Sequence, residues 1–356
     1  MLVTILAFLF LLLVLIMVHE SGHALLARLM GVRVEEFGFG FPPRLTARRV
    51  GDTVYSVNAL PIGGFVRLTG EDDADADDPR SFAIQPRTRR ALIVAGGIIA
   101  NLVLAVVGFT LVAGFGVDVP LAGAERPVSN RRVEVVEIQD TPVLRAADIQ
   151  PRDVLVAVNG ISVENAADGA EKVRGFTGSS LTLTVARGTE TRIVVLAFAP
   201  PKAAGQRVGL ALLDVGTARV PWSQAPLEGL RMTGQTVQLT FFGIGRTLRE
   251  AIVNRQAPKD LAGPVGIATI TGAVAKRGFV PLLDLMGILS VNLALVNALP
   301  IPALDGGRLL FLLLDALGIR TLRGRPERLA HTIGFIVLLA LLAFITFGDI
   351  QRLIQR

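Results

Sequence analysis

Cysteine is absent from these 356 residues, histidine occurs three times, and charged side chains make up only 19%. Without cysteine there can be no disulfide, thiolate metal site, iron–sulfur cluster or cysteine nucleophile. Any zinc must rest on histidine and carboxylate, so the positions of three histidines carry weight. A soluble domain holds about 25% charged residues. The deficit, together with an apolar content of 51%, takes part of the chain out of water. Aromatics are also few, at 6%. No basic stretch carries the aromatic interleaving of a nucleic-acid surface, so nucleic acid is not expected as a partner. The length allows roughly two domains.

The apolar residues are gathered in blocks. Met1 to Val18 holds no charge, and eighteen helical residues span roughly 27 Å, close to the hydrocarbon thickness of a bilayer. A signal peptide would carry a basic start and a small-residue cleavage site, and this run has neither. It continues instead into His19-Glu20-Ser21-Gly22-His23 and reads as a retained membrane helix. Ala91–Val117 is a second run, with Asn101 its one strongly polar side chain. A third starts near Pro281, breaks at Pro300 and Pro302 and resumes over Leu309–Leu317; a fourth covers Ile333–Phe347. The expected fold is a polytopic α-helical membrane protein of four spans, the third one broken.

Orientation follows from arginine. Arg33, Arg44, Arg48, Arg49, Arg67, Arg80, Arg87, Arg89 and Arg90 lie between spans one and two, and Arg320, Arg323, Arg325 and Arg328 between spans three and four. Both segments belong on the cytoplasmic side by the positive-inside rule. Both termini and the long middle segment then face outward, and the net charge of +6 is a product of membrane orientation.

Residues 32–90 are expected to hold a membrane-associated β-hairpin, with short strands such as Thr53–Val57 and Phe65–Leu68, followed by an acidic solvated loop at Glu71–Asp78. Residues 120–205 read as a soluble β-rich domain, with strands at Val133–Ile138, Val154–Val158, Leu181–Arg187 and Arg192–Phe198 and turns at Asn159-Gly160 and Arg187-Gly188-Thr189. Thr141–Leu155 resembles the bacterial PDZ signature, except that Asp148 and Arg152 stand where glycine is usual. Such a domain adds an extended chain or C-terminus as a strand. Residues 206–280 follow it, with an amphipathic helix expected over 223–256 on the outer membrane surface. The remaining blocks are 1–31, 91–117, 281–317 and 327–350 for the four spans.

His19-Glu20-Ser21-Gly22-His23 is an H-E-x-x-H motif. Positions i and i+4 share one helix face, so both imidazoles can reach one zinc, with Glu20 beside them to take a proton from the water such a metal activates. Ionisable groups this deep in an apolar helix are costly unless paired or ligated. A catalytic zinc takes three protein ligands. His331 opens span four beside a basic loop and reads as an interfacial residue. Asp305 is the stronger third ligand. It sits in Asn297-Ala298-Leu299-Pro300-Ile301-Pro302-Ala303-Leu304-Asp305-Gly306-Gly307, where broken backbone can project a carboxylate into a bundle. The plainer reading of Asp305 is an N-cap for the helix that follows.

Taken together, H-E-x-G-H in span one, N-x-x-P-x-P-x-L-D-G in span three and an intervening PDZ-like segment resemble the site-2 protease family. Within it the resemblance is to the bacterial regulators of sigma-E proteolysis, with one PDZ unit in place of their tandem pair. Ala59–Val66, Gly97–Asn101 and Leu261–Ile267 also match family patterns. The resemblance implies an intramembrane zinc metalloprotease of the bacterial inner membrane, its active site toward the cytoplasm and its PDZ domain outside. It implies zinc on His19, His23 and Asp305, Glu20 as general base, Asn297 holding the substrate or oxyanion, and a hairpin around 53–68 that pairs with an unwound substrate helix. Its partners would be membrane lipid and transmembrane proteins already trimmed by another protease, such as anti-sigma factors or signal-peptide remnants. A zinc transporter or sensor, or a silent PDZ scaffold, would use the same residues differently. Transporters show internal repeats and charged helices that are absent from this sequence.

Overall fold

The computed structural model describes residues 2–71, 77–122, 128–139, 141–188, 190–254, 263–319 and 325–354. Residues 72–76 of the acidic run, Thr189, Leu261, Ala262, Arg320 and Arg323 lie outside them. In chain order the first elements are α1 (Leu2–Leu29), β1 (Val34–Val50), β2 (Thr53–Leu68) and α2 (Arg87–Phe115). Then come β3 (Val117–Pro120), β4 (Val128–Ile138), α3 (Pro142–Ala146), β5 (Val154–Val158), β6 (Ile161–Ser162), α4 (Ala166–Gly175), β7 (Gly178–Arg187), β8 (Glu190–Lys202) and β9 (Leu210–Ala218). The helices α5 (Ala225–Asn254), α6 (Pro264–Ala275), α7 (Phe279–Ala298), α8 (Asp305–Ala316) and α9 (Arg325–Ile354) complete the chain. These elements form two compact units, residues 1–112 with 222–356 and residues 113–221.

In the helical unit, α1, α2, α7 and α9 are each long and apolar enough to cross a membrane. The apolar block expected as a broken third span is two helices: α7, which ends at Ala298, and the short α8, which begins at Asp305. Leu6, Phe10, Phe335 and Phe344 stay exposed, a surface suited to hydrocarbon rather than water. With no hydrophobic drive between helices in lipid, close approach depends on small residues. A Cβ on Gly22 would overlap the Gly96 carbonyl oxygen, so α1 and α2 meet backbone to backbone there. Helix α5 packs on α7, where Thr240 Oγ1 donates to Asn292 Oδ1 at 2.8 Å, while its Leu227, Leu230, Leu239, Phe241 and Phe242 remain exposed.

β1 and β2 form a sheet of their own, with longer strands than the sequence predicts: 17 and 16 residues. The glycine- and proline-rich stretch at residues 38–43 hides this length, because it bends β1 without ending it. Val34–Phe39 lies against Gly64–Leu68, and the projecting Arg44–Val50 against Thr53–Asn58. Alternate residues Val34, Glu36, Gly38 and Gly40 are buried, and from Phe41 onward β1 is exposed. The buried Glu36 carboxylate is compensated by Arg44 at 2.7 Å and Ser56 Oγ at 2.6 Å, as a buried charge requires.

The second unit is a seven-stranded sheet in the order β3-β9-β4-β5-β7-β8, with β6 on β5. Leu144, Leu155, Leu181, Leu183, Val185 and Leu196 form its core under α3 and α4. The expected boundaries of 120–205 are too narrow. β9 lies inside the sheet between β3 and β4, and its Leu-Ala-Leu-Leu start does not alternate, so it gives no strand signal of its own. Asn159 and Gly160 have φ of 49° and 77°, the conformation of a two-residue hairpin turn. Asp148 and Arg152, the departures from glycine, indeed take left-handed φ of 48° and 77°. Arg187 holds the first of these places, donating from Nη2 to the Asp148 carbonyl at 2.6 Å, and Arg192 adds a bond to its carboxylate at 3.0 Å. These partners keep the Asp148 carboxyl below its ordinary value, Arg192 contributing most.

Candidate metal centre

Helix α1 runs through the H-E-x-x-H motif without interruption, and Leu11, Leu15, His19 and Gly22 lie on its buried face. The imidazoles of His19 and His23 meet edge to face with centroids 4.9 Å apart. His23 Nδ1 sits 2.9 Å from the Ile93 carbonyl oxygen, which can only accept, so the ring proton is on Nδ1 and Nε2 carries a free lone pair. His19 Nδ1 faces the side-chain amide of the fully buried Asn101 at 3.1 Å. The amide's two ends are interchangeable by a half-turn. The end drawn away, Oδ1, has no partner; turned toward the ring, it accepts from Nδ1 and frees the second Nε2 as well.

α2 reaches this face only because residue 97 is glycine. A Cβ there would stand 2.5 Å from both His19 Cε1 and His23 Nε2. Asp305 arrives from the break in span three. Leu299 leaves the helical conformation with ψ of 139°, Ala303 takes φ of 81°, and α8 begins at Asp305. A Cβ on Gly306 would overlap the Ala298 and Leu299 carbonyls, and one on Gly307 the Ile301 carbonyl. Glycine therefore lets α8 start tightly against the end of α7. The N-cap is Leu304, so Asp305 is not a cap, and its carboxylate is free to turn toward α1.

The three side chains converge. Asp305 Oδ2 is 3.2 Å from His19 Nε2 and 3.3 Å from His23 Nε2, and the two Nε2 atoms are 3.3 Å apart. Zinc bonds of 2.0–2.1 Å in a tetrahedron require ligand atoms about 3.3 Å apart, so the triangle is one face of such a shell. Two lone pairs and a carboxylate oxygen at this separation repel unless a cation lies among them, and buried Oδ2 has no hydrogen-bond donor. Among the described residues, His19, His23 and Asp305 are the one such cluster of histidine and carboxylate ligands. The donor set fits zinc.

Glu20 and Asn297 face the same cavity of about 560 Å³, which β2 lines with Gly64, Phe65, Val66 and Leu68. Arg308 pairs with Glu71 on its wall. Two further residues join the site: Asn101, at the end of the Gly97–Asn101 family pattern, whose role that pattern did not give, and His331. Asn101 is the lone strongly polar side chain of span two, and that isolation was a signal beside the pattern. His331, expected at the interface, lines the cavity and accepts the Ala303 N–H on Nδ1 at 2.8 Å. An H-bond between span four and an irregular loop leaves no trace in residue spacing.

The family model for Peptidase family M50 matches residues 7–341. The chain belongs to peptidase family M50. A provisionally named zinc metalloprotease of Clostridium acetobutylicum is 31% identical over 340 residues, covering 95% of this chain and 94% of the relative. One from Nostoc is 32% identical over 351 residues, at 96% and 94%. The zinc metalloprotease RasP of Geobacillus kaustophilus is 28% identical over 424 residues, at 95% of each. An M50 chain with four span-capable helices is a multi-pass membrane protein.

Proposed function

We propose that His19, His23 and Asp305 hold the zinc of an intramembrane endopeptidase, with Glu20 as its general base and Asn297 on the substrate. The observation that carries this reading is the 3.2–3.3 Å triangle of two Nε2 atoms and one carboxylate oxygen. Zinc bound there would polarise a peptide carbonyl and lower the pKa of a water to about 7. Glu20, facing the same cavity, accepts the proton of the attacking water and returns it to the leaving amine. Asn297 offers an amide N–H to the carbonyl oxygen as charge develops on it.

A substrate helix satisfies its own carbonyls, so it must unwind before its backbone can be cut. The Gly64–Leu68 stretch of β2 is paired on one side with Val34–Phe39 and lines the catalytic cavity. An extended substrate segment adds there as a further strand, and its lost helical hydrogen bonds are replaced. Substrates are transmembrane segments of proteins already shortened by a first cleavage, anti-sigma factors among the candidates.

The sheet unit serves as a PDZ domain. A groove of about 260 Å³ between α4 and the start of β9, lined by Val173, Arg174, Gly209, Leu210 and Leu212, supports that role. It lies outside a bacterial inner membrane, with both chain ends on that side and the metal toward the cytoplasm, a reading the arginine distribution supports. Zinc content and cleavage of a reporter transmembrane helix, measured on one purified sample, test the proposal. Zinc with cleavage supports it; zinc without cleavage turns the reading to a transporter or sensor, and neither turns it to a PDZ scaffold.

A further inference from the structure

We propose that His331 is a positioning residue for the metal: it fixes the loop before α8 through Ala303 and so sets the reach of Asp305. The inference rests on the reading of Asp305 as a ligand. The loop from Leu299 to Leu304 contains Pro300 and Pro302, which have no N–H, so it can supply few hydrogen bonds of its own. Ile301 N–H goes to the Leu299 carbonyl and Leu304 N–H to that of Ile301. Ala303, at φ of 81°, holds a conformation that a side-chain-bearing residue keeps only when its surroundings impose it. Its N–H leaves the loop altogether and donates to His331 Nδ1 at 2.8 Å, 28 positions further along the chain.

One turn along α9, a Cβ on Gly334 would overlap the Pro302 carbonyl oxygen. Residues 331 and 334 share a helix face, so α9 holds the loop at Pro302 and Ala303, two residues short of the carboxylate. His331 does not act as a ligand itself. Its Nδ1 is committed to Ala303, which leaves the ring proton on a buried Nε2 with no protein partner, and the ring lies 5.5 Å from that of Phe311. The imidazole is thus a fixed acceptor whose work is to hold a strained peptide.

The test compares His331→Asn with His331→Leu in the full-length protein. Asparagine places Oδ1 where Nδ1 was and can still accept the Ala303 N–H; leucine keeps bulk and loses the acceptor. Zinc affinity by chelator competition, and the visible spectrum of the cobalt-substituted protein, are read beside reporter cleavage. Loss of a residue that orients a ligand typically costs 10–100-fold in metal affinity. The Leu variant is expected to lose about that much, with an altered cobalt spectrum, and the Asn variant to recover most of it. His331→Gln, whose acceptor lies one bond further out, should behave like Leu and replaces it if the Leu variant does not fold. Wild-type zinc affinity in the Leu or Gln variant, or equal loss in the Asn variant, overturns the proposal. Asp305→Asn is measured alongside: if it too keeps wild-type zinc affinity, the ligand reading has failed and not the role of His331 alone.

Discussion

Gly97→Ala separates the metal geometry from the fold, because its two effects have opposite signs. In a helix interior, alanine is favoured over glycine by about 1 kcal/mol, so α2 itself should gain stability. The added methyl would stand 2.5 Å from His19 Cε1 and His23 Nε2. Carbon atoms prefer about 3.5–4.0 Å, so the imidazoles or α2 must give way by roughly 1 Å. Metal–ligand distances tolerate only about 0.2 Å, and a retreat of α2 would give up its close contact with α1 at Gly22 and Gly96. A displacement near 1 Å at a reacting centre costs on the order of 100-fold in rate, or about 2.7 kcal/mol of transition-state stabilisation. Gly243→Ala on α5 is the control, because nothing lies within 4 Å of its Cβ. The assay is kcat/KM on a purified reporter transmembrane helix, with zinc stoichiometry and thermal unfolding on the same samples. Gly97→Ala should lose at least about 100-fold in kcat/KM and part of its zinc, and Gly243→Ala should keep both. Full zinc with unchanged cleavage in Gly97→Ala would refute the placement of the metal against α2.

Glu20→Gln should retain zinc and lose cleavage by about 10²–10⁴-fold, the usual contribution of a general base; single-turnover cleavage at the parent rate would remove Glu20 from that role. Asp305→Ala and His23→Ala should each purify with far less zinc, as read by metal analysis, and a strong chelator should stop cleavage by the parent protein until zinc is restored. Arg187→Ala should destabilise the sheet unit by about 1–3 kcal/mol, because it leaves the buried Asp153 carboxylate with only the Gln150 N–H as partner. The guanidinium spans Asp153 at 2.8 and 2.9 Å, and that residue is 1% exposed. Hydrogen exchange confined to residues 113–221 would report it, and unchanged protection there would count against the pair.

Parts of this site could be read from spacing because single helices build them. His19 and His23 are one turn apart on a continuous helix, so one rule of helical geometry brings their rings together. Asp305 was legible for a different reason: two prolines and two glycines around an acid in an apolar block mark a break with a purpose. Sheet extent was less legible. β9 carries no alternation, and the bends at Gly38–Pro43 disguised long strands as short ones, so both had to come from pairing partners far along the chain. Asp148 and Arg152 show the reverse case. The PDZ pattern flagged both as foreign, and the structure keeps the glycine-like backbone while Arg187 and Arg192 supply the hold at Asp148.

Asn101 and His331 lie beyond such rules, since each meets the site only through packing between helices. Both nonetheless follow from one energetic constraint. A polar side chain inside an apolar span is retained only where a partner compensates its desolvation. Asn101 is fully buried and its amide meets the far nitrogen of the His19 imidazole; His331 is tied to the strained peptide two residues from the Asp305 carboxylate. Each contacts one member of the His19–His23–Asp305 cluster or the loop that carries it, and the Ile93 carbonyl does the same for His23. All three members of the proposed ligand set thus meet groups from α2 or α9, outside the H-E-x-x-H and L-D-G segments. It follows that a graft of the two motifs alone onto another helical pair would assemble the ligand types without the geometry, and should bind zinc weakly.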